Sequence, residues 1–114
     1  MIEDQTLAGI NSELFKLERE LQDSSDVVSA CREDLLAAKR AYDQRRAKVY
    51  LDTKGTVAER EAKVTIECAD EIAALDVASA AFEYAKAHAA GLRDSLSALQ
   101  TRSANIRKEI DLAR

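Results

Sequence analysis

Few side chains in this sequence are suited to chemistry, and their spacing decides what they can do. His88 is the one histidine. It has no second histidine to work with and neither cysteine lies on its turn, so it reads as a surface or interface residue rather than a ligand or a base. Cys31 and Cys68 form neither a CxxC pair nor a metal-ligand spacing, and both fall on apolar stripes, where a thiol behaves as a small buried hydrophobe. Glu61 and Glu71 invite a general acid–base reading. Their positions on a helix seam, with Arg45 within reach of Glu61, point instead to polar pairs that set register. No glycine-rich phosphate loop, nucleophile motif or metal-ligand cluster is present. The expectation is a protein that is not an enzyme and needs no cofactor or metal.

Charge offers a second kind of chemistry. Residues 39–63 hold eight basic side chains against four acidic ones, while the rest of the chain holds nine against seventeen. A basic segment that includes Arg46, Lys48, Lys54 and Arg60 could meet a phosphate backbone by counterion release, with Tyr50 as a stacking surface. The plainer reading is a solvated helix end in which Glu59 and Lys63 form an ordinary i,i+4 pair. Tyr42 belongs to the core in either case.

The elements that position these residues are two helices. There is no proline, only three glycines, and 33% of the chain is charged. That composition with sustained periodicity marks long helices and coiled coils, and a 46% hydrophobic content argues against disorder. Lys54-Gly55-Thr56 is the one break. Gly55 can take the left-handed conformation that closes a helix, and Thr56 with Glu59 forms a capping box that starts the next. Before it, with Asp4 or Thr6 as N-cap, apolar steps of three and four run from Leu7 and Ile10 through Leu35 and Tyr42 to Val49. After it a second stripe runs from Val57 through Cys68, Leu75, Phe82 and Leu96 to Ile110. The expected architecture is all-α: a long antiparallel two-helix coiled-coil hairpin over residues 1–114. Helix one spans about 5–53, the turn 54–56 and helix two about 57–112.

Reversal at Gly55 should set Leu14 beside Leu96, Leu21 beside Ala89, Val28 beside Phe82, Leu35 beside Leu75 and Tyr42 beside Cys68. The two stripes agree in phase, and the register keeps Cys31 and Cys68 too far apart for a disulfide. Gly91 is expected inside a continuous helix, with a bend there as the alternative. Helix two carries a further stripe, Ile66, Ala69, Ala73, Val77, Ala80, Tyr84 and Ala87, leading to Gly91. Helix one offers Val27, Ala30, Ala37 and Ala41. A hairpin has one interface and no use for a second stripe, so the reading is a homodimer forming a four-helix bundle. The rival is that the face receives a different protein.

The segment Tyr50-Leu-Asp-Thr-Lys-Gly-Thr-Val-Ala-Glu-Arg-Glu-Ala-Lys63, with Leu96-Ser-Ala-Leu-Gln-Thr-Arg-Ser-Ala-Asn-Ile-Arg107, resembles a family of small helical proteins encoded by bacteriophages and prophages. Their genes often lie near those for recombination or replication. The resemblance covers roughly residues 40–108 and rests on the Lys-Gly-Thr-Val-Ala-Glu-Arg turn. It implies a phage origin and a role in the DNA-handling part of infection, and supplies no catalytic residues. Two functions follow: a protein–protein interaction module accessory to such machinery, or a weak nucleic-acid binder acting through the basic tip. No apolar run is long enough to span a membrane and Met1 leads into Ile-Glu-Asp rather than a signal, so the expected location is the cytoplasm of an infected or lysogenic bacterial host.

Overall fold

The computed structural model describes residues 7–113, and every element it contains is helical: α1 (Leu7–Asp52), α2 (Val57–Glu67) and α3 (Ala69–Ala113). No strand occurs among the described residues. The candidate N-caps Asp4 and Thr6 lie outside them. Every α1 seam position from Leu7 to Val49 is buried or half-buried, as is every later seam position from Glu61 to Ile106. The ends of the second stripe differ from expectation: Val57 is 65% exposed and Ile110 is exposed as well.

The reversal occupies the four residues between Asp52 and Val57. Thr56 is the N-cap of α2, with extended backbone, and its hydroxyl accepts from the Glu59 amide at 3.2 Å. Gly55 has φ +129°, a region that side chains resist. It sits well outside the left-handed helical well near +57°. A Cβ built on Gly55 would come within 2.5 Å of Glu59 Oε2, so the Glu59 carboxylate folds back over the glycine. Gly55 does not close α1 alone. Thr53 Oγ1 donates to the Val49 carbonyl at 2.6 Å, and Arg60 donates from Nε and from a terminal nitrogen to the Tyr50 carbonyl at 3.1 and 2.8 Å. Two carbonyls of the last α1 turn, which a helix leaves without internal partners, are thereby satisfied by side chains.

Instead of one helix over about 57–112, the chain forms α2 and α3 with Cys68 between them. Cys68 has φ −97° and ψ 17°, in the bridge region beside the helical well. Hydrogen bonding persists across it: the Cys68 amide donates to Val64 O at 2.8 Å and the Ile72 amide to Cys68 O at 2.9 Å. These two bonds bracket the distortion, while the regular helical pattern is interrupted at Cys68 itself. No glycine or proline announces it. α3 then runs through Gly91 without interruption, where a Cβ would meet nothing within 4 Å.

The chain divides into two compact units, residues 28–84 and residues 1–27 with 85–114. In the first, the C-terminal half of α1 packs antiparallel to α2 and the start of α3. Tyr50 meets Arg60, Arg46 meets Glu61 and Arg45 meets Glu67, residue numbers that add to about 110 in each case. Its core is Val49, Val64 and the fully enclosed Cys68, with Tyr42, Tyr50 and Ile72 packed against them. In the second unit, Gly9, Ile10 and Glu13 of α1 face Leu99 and Arg102 of α3. Ile10, Ser24, Ala85, Ala89 and Ser103 are its buried residues. Both cysteines are free.

Two tests address these elements. Cysteine pairs at 35/75 in the first unit and 14/96 in the second should crosslink within one chain under mild oxidation; helical protein that fails to crosslink at both would contradict the antiparallel packing. Thr56→Ala should lower unfolding free energy by about 1 kcal/mol. Gly55→Val, forced to a positive φ, should lower it by about 2 kcal/mol. Denaturation midpoints equal to wild type in both would show the turn geometry to be unimportant.

Candidate interaction surfaces

The basic residues singled out in the sequence are brought together at the reversal, but largely to one another. Arg60 reaches from the first turn of α2 to the end of α1, where its guanidinium lies 4.0 Å from the centroid of the Tyr50 ring while holding the Tyr50 carbonyl. The positive charge sits at the negative end of the α1 dipole, which favours it there. Arg46 approaches the same ring at 5.7 Å and donates to Glu61 Oε1 at 2.8 Å. Tyr50 thus already has cationic neighbours for its π surface. Arg46, Tyr50 and Arg60 form a clasp inside the fold, while Lys48 and Lys54 are exposed beside it.

The ion pairs around the clasp differ in detail from those expected. Glu61 pairs with Arg46 rather than Arg45. Arg45 lies between Glu67 at 3.7 Å and Glu71 at 3.8 Å, spanning the Cys68 distortion. Lys63 pairs with Glu67 at 3.2 Å, not with Glu59, whose carboxylate is turned toward Gly55. The partner of Glu61 moves by one residue, from Arg45 to Arg46, and Lys63 pairs one turn ahead of itself instead of one turn back. Sequence spacing puts opposite charges within reach of one another and does not choose among the candidates in reach.

A different surface stands on the side of the 28–84 unit. Ile66 and Val77 are each 71% exposed and Tyr84 75% exposed, with Ala73 and Ala80 exposed between them and Asp70 exposed among them; Ala69, expected in this stripe, instead shares its face with Asp76 and Glu83, seven and fourteen residues further on. On α1 the exposed residues Ala30, Ala37 and Ala41 occupy the corresponding side, each one position ahead of a seam residue. A groove of about 430 Å³ runs between the two helices, lined by Cys31, Asp34, Ala73, Ala74, Val77 and Ala81 among others. The opposite side of the unit is more polar, with Arg32, Lys39, Asp43, Asp76, Ser79 and Glu83 exposed beside the apolar Leu36, Ala62 and Ala69. Ala87, the last residue of the stripe, falls in the other unit and is exposed there.

Comparison with protein families, with characterised proteins and with solved structures found no match to this chain. Among the described residues no group of three or more His, Cys, Asp or Glu side chains is placed to hold a metal ion. No described helix is long and apolar enough to cross a membrane. His88 is exposed on α3.

The clasp has a measurable role. Arg60→Ala removes a charge-assisted double hydrogen bond and a ring contact, and should cost about 1–2 kcal/mol at this partly exposed site. Arg60→Lys keeps the charge without the planar fork and should recover less than half of that loss. Lys54→Ala, at an exposed position, should leave the urea midpoint within about 0.5 kcal/mol of wild type. Equal midpoints for the Arg60 and Lys54 variants would show that the clasp contributes nothing.

Proposed function

We propose that this chain is a non-enzymatic protein–protein interaction module that works as a homodimer, two helical hairpins joining along their apolar sides into a four-helix bundle. One observation carries the reading: Ile66, Val77 and Tyr84 are more than two-thirds exposed along one side of a unit whose other side is more polar. Bulky apolar side chains grouped on one face, with Asp70 and Asp34 the charged residues among them, are unusual on a soluble monomer. Burial within the unit points the same way. Leu35, Leu75, Ala78 and Phe82 occupy seam positions yet remain only half-buried, because two helices enclose a seam from one direction only. A second pair of helices would complete the enclosure, as in four-helix bundles.

The available area suits a second copy. From Ile66 to Tyr84 the band extends about 27 Å at 1.5 Å per residue. Two neighbouring helices 8–10 Å apart make it roughly 20 Å wide. The footprint is on the order of 500 Å² in projection and larger in accessible area, close to the ~800 Å² per partner of a standard interface. The resemblance of residues 40–108 to phage-encoded helical proteins suggests the setting, an accessory role in phage recombination or replication inside a bacterial cell. The nucleic-acid reading is weaker, since Arg46, Tyr50 and Arg60 already have partners within the fold, leaving Lys48 and Lys54 as its main support.

Sedimentation at micromolar concentration should give twice the chain mass of 12.5 kDa. Val77→Glu puts a charge into the contact and should raise the dimer dissociation constant at least about 100-fold while far-ultraviolet circular dichroism is unchanged. A wild-type monomer at 100 µM, an order-of-magnitude ceiling chosen for weak dimers, would sink the homodimer. Salt-sensitive binding to DNA or RNA that is lost in a Lys48→Glu, Lys54→Glu variant would favour the nucleic-acid reading instead.

A further inference from the structure

A second surface presents charge that the fold leaves unanswered. In the unit of residues 1–27 and 85–114, Lys86, Arg93, Gln100 and Arg107 recur every seven residues along α3, each exposed and each directly after a seam residue. They lie across the seam from the gap lined by Gly9, Ile10, Glu13, Leu99 and Arg102. Gln100 follows the seam residue Leu99 by one position and Arg102 follows it by three, which turns the two to opposite flanks. Antiparallel levels that add to about 110 set the row against Ser25, Glu18 and Asn11 of α1. One carboxylate thus faces the whole row, and it is not taken up. Among the described residues Arg93, Arg107 and Glu18 enter no ion pair and no side-chain hydrogen bond, whereas Arg45, Arg46 and Lys63 of the other unit all have carboxylate partners.

Charges that flank a helical seam select the partner, because they meet the flanking row of the helix alongside. Here α3 carries a basic row and α1 lacks the acidic row that would match it. The surface beside the row is apolar. Leu14, Leu21 and Leu96 are seam residues left half-buried, Phe15 is 66% exposed, and Ala90 and Ala104 are small exposed residues that let another helix approach closely. We infer that this side docks an acidic amphipathic helix of a different protein, its apolar stripe over Leu14, Phe15 and Leu96 and its carboxylates on Arg93 and Arg107. Carboxylates placed every seven residues on that helix are about 10.5 Å apart, the step of the row itself. The surface belongs to the other unit from the apolar side of residues 28–84, so the inference goes beyond the homodimer and does not rest on it.

The spacing favours a helix over a nucleic acid. A straight row with one step per about 10.5 Å matches the heptad of a neighbouring helix, whereas a polyanion calls for cations that neutralise successive phosphates. The chain's net charge of −4 also opposes a polyanion more than a short helix that gains apolar contact. Phe15 is the aromatic anchor of the contact, of the residue class that carries much of the binding energy at interface centres.

Fluorescence anisotropy with the full chain tests the site. The probe is a labelled synthetic peptide of four heptads, with leucine at the two seam positions and glutamate at the two flanking ones. The wild type should bind it saturably below about 100 µM. Arg93→Glu with Arg107→Glu should weaken binding at least about tenfold, and Phe15→Ala about fivefold. Far-ultraviolet circular dichroism should be unchanged in both, because all three positions are exposed. The double variant should instead bind the same peptide with lysine in place of glutamate, which the wild type should not. No binding of the acidic peptide, or equal binding by the double variant, overturns the site. Loss of peptide binding in Val77→Glu would put the peptide on the other unit and overturns it as well. An oligothymidylate that binds more tightly than the peptide and is lost in the double variant replaces the helix with single-stranded nucleic acid. A wild-type dimer that the double variant dissociates in sedimentation makes a second copy the occupant and also overturns the inference. A wild type that is monomeric yet binds the peptide supports this site while the homodimer falls.

Discussion

Two helices that share a single seam depend on a reversal of fixed length, since slipping one of them by a residue rotates its apolar stripe by about 100° out of the contact. Here the reversal is held from both sides. Gly55, at φ +129°, and the Thr56 cap define where α2 begins. Arg60 and Thr53 hold the carbonyls where α1 ends. Arg60 matters most because it belongs to the second helix and grips the first. It ties the level of Tyr50 to that of its own turn, and everything beyond inherits that level: Arg46 on Glu61, Arg45 on Glu67 and Glu71, and Tyr42 against the Val49, Val64 and Cys68 cluster.

This arrangement changes the meaning of the local positive charge. A composition of eight basic residues against four acidic ones over 39–63 suggests a surface for anions. In the fold, Arg45, Arg46 and Lys63 have carboxylate partners and Arg60 is committed to a carbonyl and a ring. Exposed ion pairs contribute about 0–1 kcal/mol each, so their value lies less in stability than in choosing one register among several of similar apolar contact. Charge counted along a chain is not charge available at a surface.

The apolar side of residues 28–84 follows from a limit on what a two-helix unit can bury. Its seam is narrow, several seam residues stay half-exposed, and more of the flanking alanines lie on the side of the groove than on the other. Helices in proteins draw most of their stability from packing of an apolar face rather than from propensity. The exposed Ile66, Val77 and Tyr84 are what a seam of this width leaves outside.

The sequence by itself determined the helical class, the turn and the seam, because these rest on local geometry: a period of 3.6 residues, a glycine free to take positive φ, and a threonine cap. Helical spacing also foretells that Ile66, Val77 and Tyr84 stand away from the seam, where all three are exposed, while Ala69 of the same expected stripe shares the face of Asp76 and Glu83. Tertiary structure decided what depends on distances across the seam. The Cys68 distortion carries no glycine or proline signal; it lies in the core, with Val49, Val64 and Tyr42 around it and Arg45 bridging Glu67 and Glu71 across it. The choice of Arg46 over Arg45 for Glu61 turns on side-chain reach that spacing cannot resolve. Arg60 looked like one more surface cation, yet closing α1 is a task that exists only once the chain has doubled back, because the carbonyl it holds lies on the other helix.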